Sequence, residues 1–204
     1  MNPPSDYSAS TTAYYDSHAS EFCKNTASVD VSELYGPFLE LLPAGGRILD
    51  AGCGSGRDSL AFLQRGFSVV SMDASAEMVK ATTALTRQAA LLLRFDEIDC
   101  EGEFDGIWAC ASLLHVSRRD LAAVLGRLNR ALRTNGVLYV SFKYGDTERI
   151  ERGRFFNDLT DHRLLSLLAE HPGLELLRLW ISEDVRNERR GGRRWVNSIA
   201  RRIQ

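Results

Sequence analysis

Apolar residues recur with a helical period at the start of the chain and with a strand–helix rhythm after it. Tyr15, Ala19, Phe22 and Cys23 share one face of a helix predicted over Tyr14 to Thr26. Leu34, Phe38, Leu41 and Leu42 share the face of a second, predicted from Val31 to Leu42, with Asp30 as its N-cap and Pro43 ending it. Short apolar runs at Arg47–Ala51, Phe67–Met72, Leu91–Phe95, Gly106–Ala111 and Val137–Phe142 then read as strands. Helices predicted over Asp58–Arg65, Ala76–Ala90 and Asp120–Leu132 separate them, and an Asn135-Gly136 turn precedes the fifth strand. Such alternation implies an α/β fold, a parallel sheet with helices on both faces. After a helix at Thr160–Ala169, the strands Leu174–Ile181 and Arg194–Ile199 follow without a crossover helix. They should therefore pair antiparallel at one side of the sheet.

Residues 1–13, rich in Ser, Thr and Pro, are expected to be flexible. Residues 14–204 are expected to form a single domain, with 14–45 as a helical cap. The chain has 204 residues, 44% hydrophobic and 25% charged, enough for one core without disulfide or metal staples. Its net charge of −2 opposes a role in coating nucleic acid. Cys23, Cys53, Cys100 and Cys110 lack zinc spacing, and no metal is expected. The polar start is not expected to act as a signal peptide, and no apolar run reaches the ~18 residues of a membrane helix. The expected location is cytoplasmic, with no membrane partner.

The chemistry concentrates where Gly52, Gly54 and Gly56 follow a strand and open a helix. Such a turn lets a ligand approach the backbone at the carboxyl edge of the sheet. A P-loop would continue with Lys and Ser or Thr, but Arg57-Asp58 stands there. A dinucleotide fingerprint counted from Gly52 meets Arg57 at its last glycine. Asp50 and Asp58 would repel a pyrophosphate and suit a ligand with an ammonium group, such as S-adenosylmethionine. Asp73 ends the next strand roughly 20 residues on, where a carboxylate can accept both ribose hydroxyls.

The run Ile48-Leu49-Asp50-Ala51-Gly52-Cys53-Gly54-Ser55-Gly56 resembles the first motif of the class I S-adenosylmethionine-dependent methyltransferases. Ser71-Met72-Asp73-Ala74-Ser75-Ala76-Glu77-Met78 is similar to their second motif, and Phe104 to His115 to the segment around their fourth strand. Gly56-Arg57-Asp58-Ser59 looks most like the tellurite-resistance type and related small-substrate enzymes. The resemblance implies a Rossmann-like, doubly wound seven-stranded sheet of order 3-2-1-4-5-7-6 with strand 7 antiparallel. It implies that Asp50, Gly52 and Gly54 line the methionine end of the cofactor. Asp73 would hold the ribose, with Ala74 and Met78 against the adenine. Phe95 and Asp96 would contact the adenine ring, although this stretch departs from the commoner Gly-Asp-Ala pattern. The Ala109 backbone would meet the amino group. Arg57 either approaches the cofactor carboxylate or stays solvated at the helix start.

Tyr14-Tyr15-Asp16 resembles the tyrosine-rich segment that lies over the cofactor in many small-molecule methyltransferases. Tyr15 is thus expected against the cofactor and Tyr14 on the acceptor side; ordinary packing of a first helix is the alternative. His115 and Tyr144 follow the fourth and fifth strands. His115 is a candidate general base, since imidazole titrates near neutrality, or else a packing residue. Arg154, in the stretch Arg152–Asn157, can clamp an anionic substrate; a surface loop is the competing reading. No covalent nucleophile is required, because positioning an in-line displacement supplies much of the rate, and the sequence assigns no catalytic residue. The expected function is methyl transfer to a small molecule. The alternatives are a tRNA- or RNA-modifying methyltransferase, favoured by the Arg189–Arg194 cluster, and a non-catalytic cofactor-binding module. The acceptor and the oligomeric state are not legible.

Overall fold

The computed structural model describes residues 7–185 and 192–203. Its main sheet has seven strands: β1 (Arg47–Ala51), β2 (Ser68–Asp73), β3 (Leu91–Leu92), β4 (Phe104–Ala109), β5 (Leu132–Lys143), β8 (Leu174–Glu183) and β9 (Arg194–Arg202). Their order is β3-β2-β1-β4-β5-β9-β8. The first five run parallel, while β9 pairs antiparallel with both β5 and β8. Counting only the strands of this sheet, the order is the expected 3-2-1-4-5-7-6 with the seventh strand antiparallel.

Helices α3 (Arg57–Gln64), α4 (Ala76–Thr86), α5 (Arg118–Ala131) and α6 (Asp161–Ala169) connect the strands. Ser75, Ser117 and Thr160 each cap a helix by accepting a backbone N–H from the residue three positions on. One face of the sheet packs Leu49, Ile107 and Leu138 against Leu121, Leu125 and Leu128 of α5. The other packs Ile48, Trp108 and Tyr139 against Phe62 of α3 and Tyr35 and Phe38 of α2 (Ser32–Leu39). Gly106 lies beneath α2, and a Cβ there would come within 2.7 Å of the Phe38 ring.

Several local expectations change. Helix α1 runs from Tyr7 to Thr26, so residues 7–13, expected to be flexible, are helical. Thr11 is buried, and its Oγ1 accepts the Phe155 N–H at 3.0 Å, a tertiary contact that polar composition conceals. Helix α2 ends at Leu39 rather than Leu42, and Val31, not Asp30, occupies its N-cap. Helix α4 stops at Thr86, where Arg87 adopts a left-handed conformation. Strand β3 holds only Leu91 and Leu92, both exposed at the sheet edge. Asn135, with φ of 70°, is an irregularity inside β5 and not a turn before it. The stretch Arg152–Asn157, for which a surface loop is the competing reading, belongs to a hairpin of β6 (Glu148–Glu151) and β7 (Arg154–Asn157). Its two turn residues, Arg152 and Gly153, both have positive φ, as a tight hairpin of right-handed twist requires. Arg189, Arg190 and Gly191 of the arginine cluster lie outside the described residues.

Candidate active site

A cleft of about 1590 Å³ opens at the carboxyl edge of the parallel strands. The loop after β1 forms its floor. Gly52 and Cys53 donate their N–H groups to Met72 O at 2.9 Å, which ties the turn to β2. Ser112 Oγ donates to Ala51 O at 2.7 Å and ties it to the loop after β4. Gly52 has φ of 84°, and a Cβ there would lie 2.4 Å from Ser112 Cβ. Only glycine fits that crossing.

Asp73, at the end of β2, accepts the Gly54 N–H on Oδ2 and the Ser75 N–H on Oδ1, both at 2.9 Å. A carboxylate offers about four lone-pair sites, so acceptor capacity remains for hydroxyl groups. Burial raises the Asp73 carboxyl above its ordinary value, and the backbone N–H bonds oppose that shift. Ala74, Met78, Phe95 and Asp96 line the same end of the cleft, as Gly52 and Gly54 do. Arg94 forms an ion pair with Asp96 at 2.9 Å.

Three expected cofactor residues stand differently. Asp50 is buried behind the glycine turn, where its Oδ2 accepts from Ser59 Oγ at 2.5 Å, and it is not among the residues that line the cleft. Burial, and then the neighbouring Asp58, pushes its carboxyl well above the usual carboxylate range. Ala109 is fully buried; Cys110, Ala111 and Ser112, beyond the strand end, line the cleft instead. Arg57 does line it, but its guanidinium forks onto Asp58, with Nε at 2.6 Å and Nη2 at 3.0 Å. Asp58 also accepts Tyr35 Oη at 2.6 Å and Trp108 Nε1 at 2.8 Å.

Helix α1 closes the cleft from above. Asp16 Oδ1 accepts from Ser75 Oγ at 2.6 Å and from the Glu77 N–H at 3.2 Å, which fixes α1 to the start of α4. Tyr14, Tyr15 and Phe22 line the cleft from this helix. Tyr15 Oη lies 2.8 Å from His115 Nε2, while His115 Nδ1 lies 2.6 Å from Phe155 O. Arg154 from β7 sits over the Tyr14, Tyr15 and Phe156 rings. The structure thus brings together Tyr14, Tyr15, His115 and Arg154, all on the cleft wall.

Tyr144 does not join them. Side chains alternate along a strand, so Ser141 and Lys143 of β5 face the cleft and Tyr144 does not. Its hydroxyl instead lies 3.3 Å from Asp161 Oδ1. Lys143, Asp16 and Phe156 lie in stretches that the sequence marks out without choosing them, whereas Cys110, Ala111 and Ser112 displace Ala109. For Lys143 the signal was present, since it is the last residue of an apolar strand. Among the described residues, no group of three or more His, Cys, Asp and Glu side chains is placed to hold a metal ion. None of the described helices is long and apolar enough to cross a membrane.

Fold, strand order and the cleft at the carboxyl edge are those of the Rossmann-like, class I methyltransferase fold. Residues 48–136 match the family described as Methyltransferase domain. The chain is 30% identical over 116 residues to a Bacillus subtilis protein named as a methyltransferase, YqeM, covering 52% of this chain and 47% of that protein. It is 34% identical over 107 residues to the ubiquinone biosynthesis O-methyltransferase of Psychrobacter arcticus, covering 48% of this chain and 41% of that one. The chain thus spans about half the length of the curated relatives it matches. In fold it is similar to the Burkholderia thailandensis 1,6-didemethyltoxoflavin-N1-methyltransferase with bound 1,6-didemethyltoxoflavin and S-adenosylhomocysteine. That likeness has a TM-score of 0.79 at 21% identity, over 100% of this chain and 92% of that one.

Proposed function

We propose that this protein transfers a methyl group from S-adenosylmethionine to a small-molecule acceptor. The carrying observation is the size and lining of one cleft. A pocket for a drug-sized ligand measures roughly 300–1,000 Å³. At about 1590 Å³, this cleft has room for the cofactor and a second small molecule. When bound, the cofactor supplies an electrophilic methyl on a cationic sulfonium. The chain's residues bind, orient and exclude water around it.

In this reading Asp73 accepts the ribose hydroxyls, and Ala74, Met78, Phe95 and Asp96 flank the adenine. Gly52 and Gly54 present bare backbone to the methionine moiety, and Tyr15 closes over it. His115 is a positioning residue: with Phe155 O and Tyr15 as partners, it braces helix α1 over the cleft. Burial lowers its imidazole to about 4, so it stays neutral at physiological pH and serves poorly as a base. Alignment of nucleophile and methyl group then supplies much of the rate. The four cysteines are unpaired, which supports a reducing, cytoplasmic setting.

The test is transfer of labelled methyl from S-adenosylmethionine to pools of small acids, thiols and amines, beside tRNA. Label in the small-molecule fraction is the expected outcome. Label in tRNA alone would favour the RNA-modifying alternative, and cofactor binding without transfer to any pool would favour a sensor.

A further inference from the structure

Two cations in the cleft, Arg154 and Lys143, make no ion pair among the described residues. The Arg154 guanidinium sits 4.6 Å from the centre of the Tyr14 ring and 5.1 Å from that of Phe156. Its Nε is buried with no hydrogen-bond partner, and no described carboxylate lies within ion-pair distance of it. The Lys143 ammonium lies 3.5 Å from the centre of the same Phe156 ring; Glu151 and Asp158 attract it, but no described carboxylate comes within ion-pair distance. Arg149 approaches that ring too, at 5.1 Å, but Asp158 and Glu151 neutralise it. A partly desolvated cation without an ion-pair partner favours a bound anion.

Position separates this pair from the ribose end. Lys143 ends β5 and Asp73 ends β2, with β1 and β4 between them. Three strand spacings amount to about 14 Å. The rings of Tyr14 and Phe156 wall the space around Arg154, which favours a flat molecule.

We propose that Arg154 and Lys143 form the anion-reading end of the acceptor subsite, and that the acceptor is a small, flat molecule bearing a carboxylate or phosphate. This rests on the methyltransferase reading above and names its substrate class. Arg154 supplies a planar fork for two parallel hydrogen bonds, and Lys143 a point charge. Burial holds the Lys143 ammonium down to about 8, and a bound anion would raise it.

Calorimetric titration of benzoate, phenyl phosphate and benzamide into the S-adenosylhomocysteine-saturated protein tests this. At least one anion should bind about tenfold more tightly than benzamide. Arg154→Gln should abolish that preference and Lys143→Gln reduce it, with S-adenosylhomocysteine affinity unchanged in both. The two anions show which headgroup is read. Equal binding of benzamide, no anion binding to the loaded protein, or a preference intact in both variants would overturn the proposal. So would Arg154→Gln weakening S-adenosylhomocysteine as much as the anion, which would assign Arg154 to the cofactor's own carboxylate. Failure of the wild type to bind S-adenosylhomocysteine at all would instead overturn the cofactor reading beneath it.

Discussion

The Tyr15 hydroxyl donates a hydrogen bond to His115 Nε2 at 2.8 Å, joining the N-terminal helix to the loop after the fourth strand. The direction follows from the opposite side of the ring. Phe155 O can only accept, so Nδ1 carries the proton, and a neutral imidazole leaves Nε2 as an acceptor. One histidine thus holds α1, the β6–β7 hairpin and the floor of the cleft in a fixed relation.

That arrangement depends on a neutral ring. Burial, with smaller contributions from Arg154 and Lys143, lowers the imidazole from 6.5 to about 4. A depressed histidine favours the folded state fully above its unfolded value, and the advantage is lost as pH falls from 6.5 toward 4. Thermal unfolding should therefore show a steeper loss of Tm over that window in the wild type than in His115→Gln. Parallel curves for the two proteins would refute a neutral, braced His115.

Asp73 has two tasks, holding the Gly54 and Ser75 N–H groups and offering its remaining lone pairs to a ribose. Hydrogen bonds to a charged group contribute roughly 1.5–3 kcal/mol each, so Asp73→Ala should weaken S-adenosylmethionine binding tenfold or more. Calorimetry on the variant checks it, and an unchanged dissociation constant would remove Asp73 from the cofactor site.

Two glycines with nearly equal backbone angles separate strain from crowding. Gly52 and Gly66 have φ of 84° and 86°, but a Cβ on Gly66 would meet nothing within 4 Å, while one on Gly52 would meet Ser112 at 2.4 Å. Gly66→Ala should cost about 1–3 kcal/mol from the left-handed conformation alone. Gly52→Ala should cost more in urea unfolding and also impair cofactor binding. Equal losses would mean that the turn relaxes freely.

Asp58 joins three side chains: Tyr35 and Trp108 in the core and Arg57 on the cleft wall. Replacing it with Ala strands all three donors. Removal of one partner of a buried ion pair typically costs about 3–5 kcal/mol. Urea unfolding of Asp58→Ala should fall in or near that range; a loss below about 1 kcal/mol, as exposed pairs give, would show the network to be dispensable.

Much of this could be read before the structure. The parallel strands are short apolar runs, and the glycine turn and Asp73 announce themselves by spacing. Residues fixed by tertiary partners could not be read so. Thr11 looks like a disordered-tail residue until the Phe155 N–H finds it. Asp50 lies in the signature motif, yet its side chain turns away from the cleft to Ser59. Tyr144 and Lys143 are adjacent in sequence, and only strand alternation, with the register known, tells which one faces the cleft. The β6–β7 hairpin escaped because its turn is Arg152-Gly153 and not Asn-Gly or Asp-Gly.

The most direct test of the account is transfer of labelled methyl from S-adenosylmethionine to small-molecule pools, with tRNA in parallel and Asp73→Ala as control. Label is expected in a small, acidic acceptor and should be lost in the variant. Label confined to tRNA, or cofactor binding with no transfer to any pool, would contradict it.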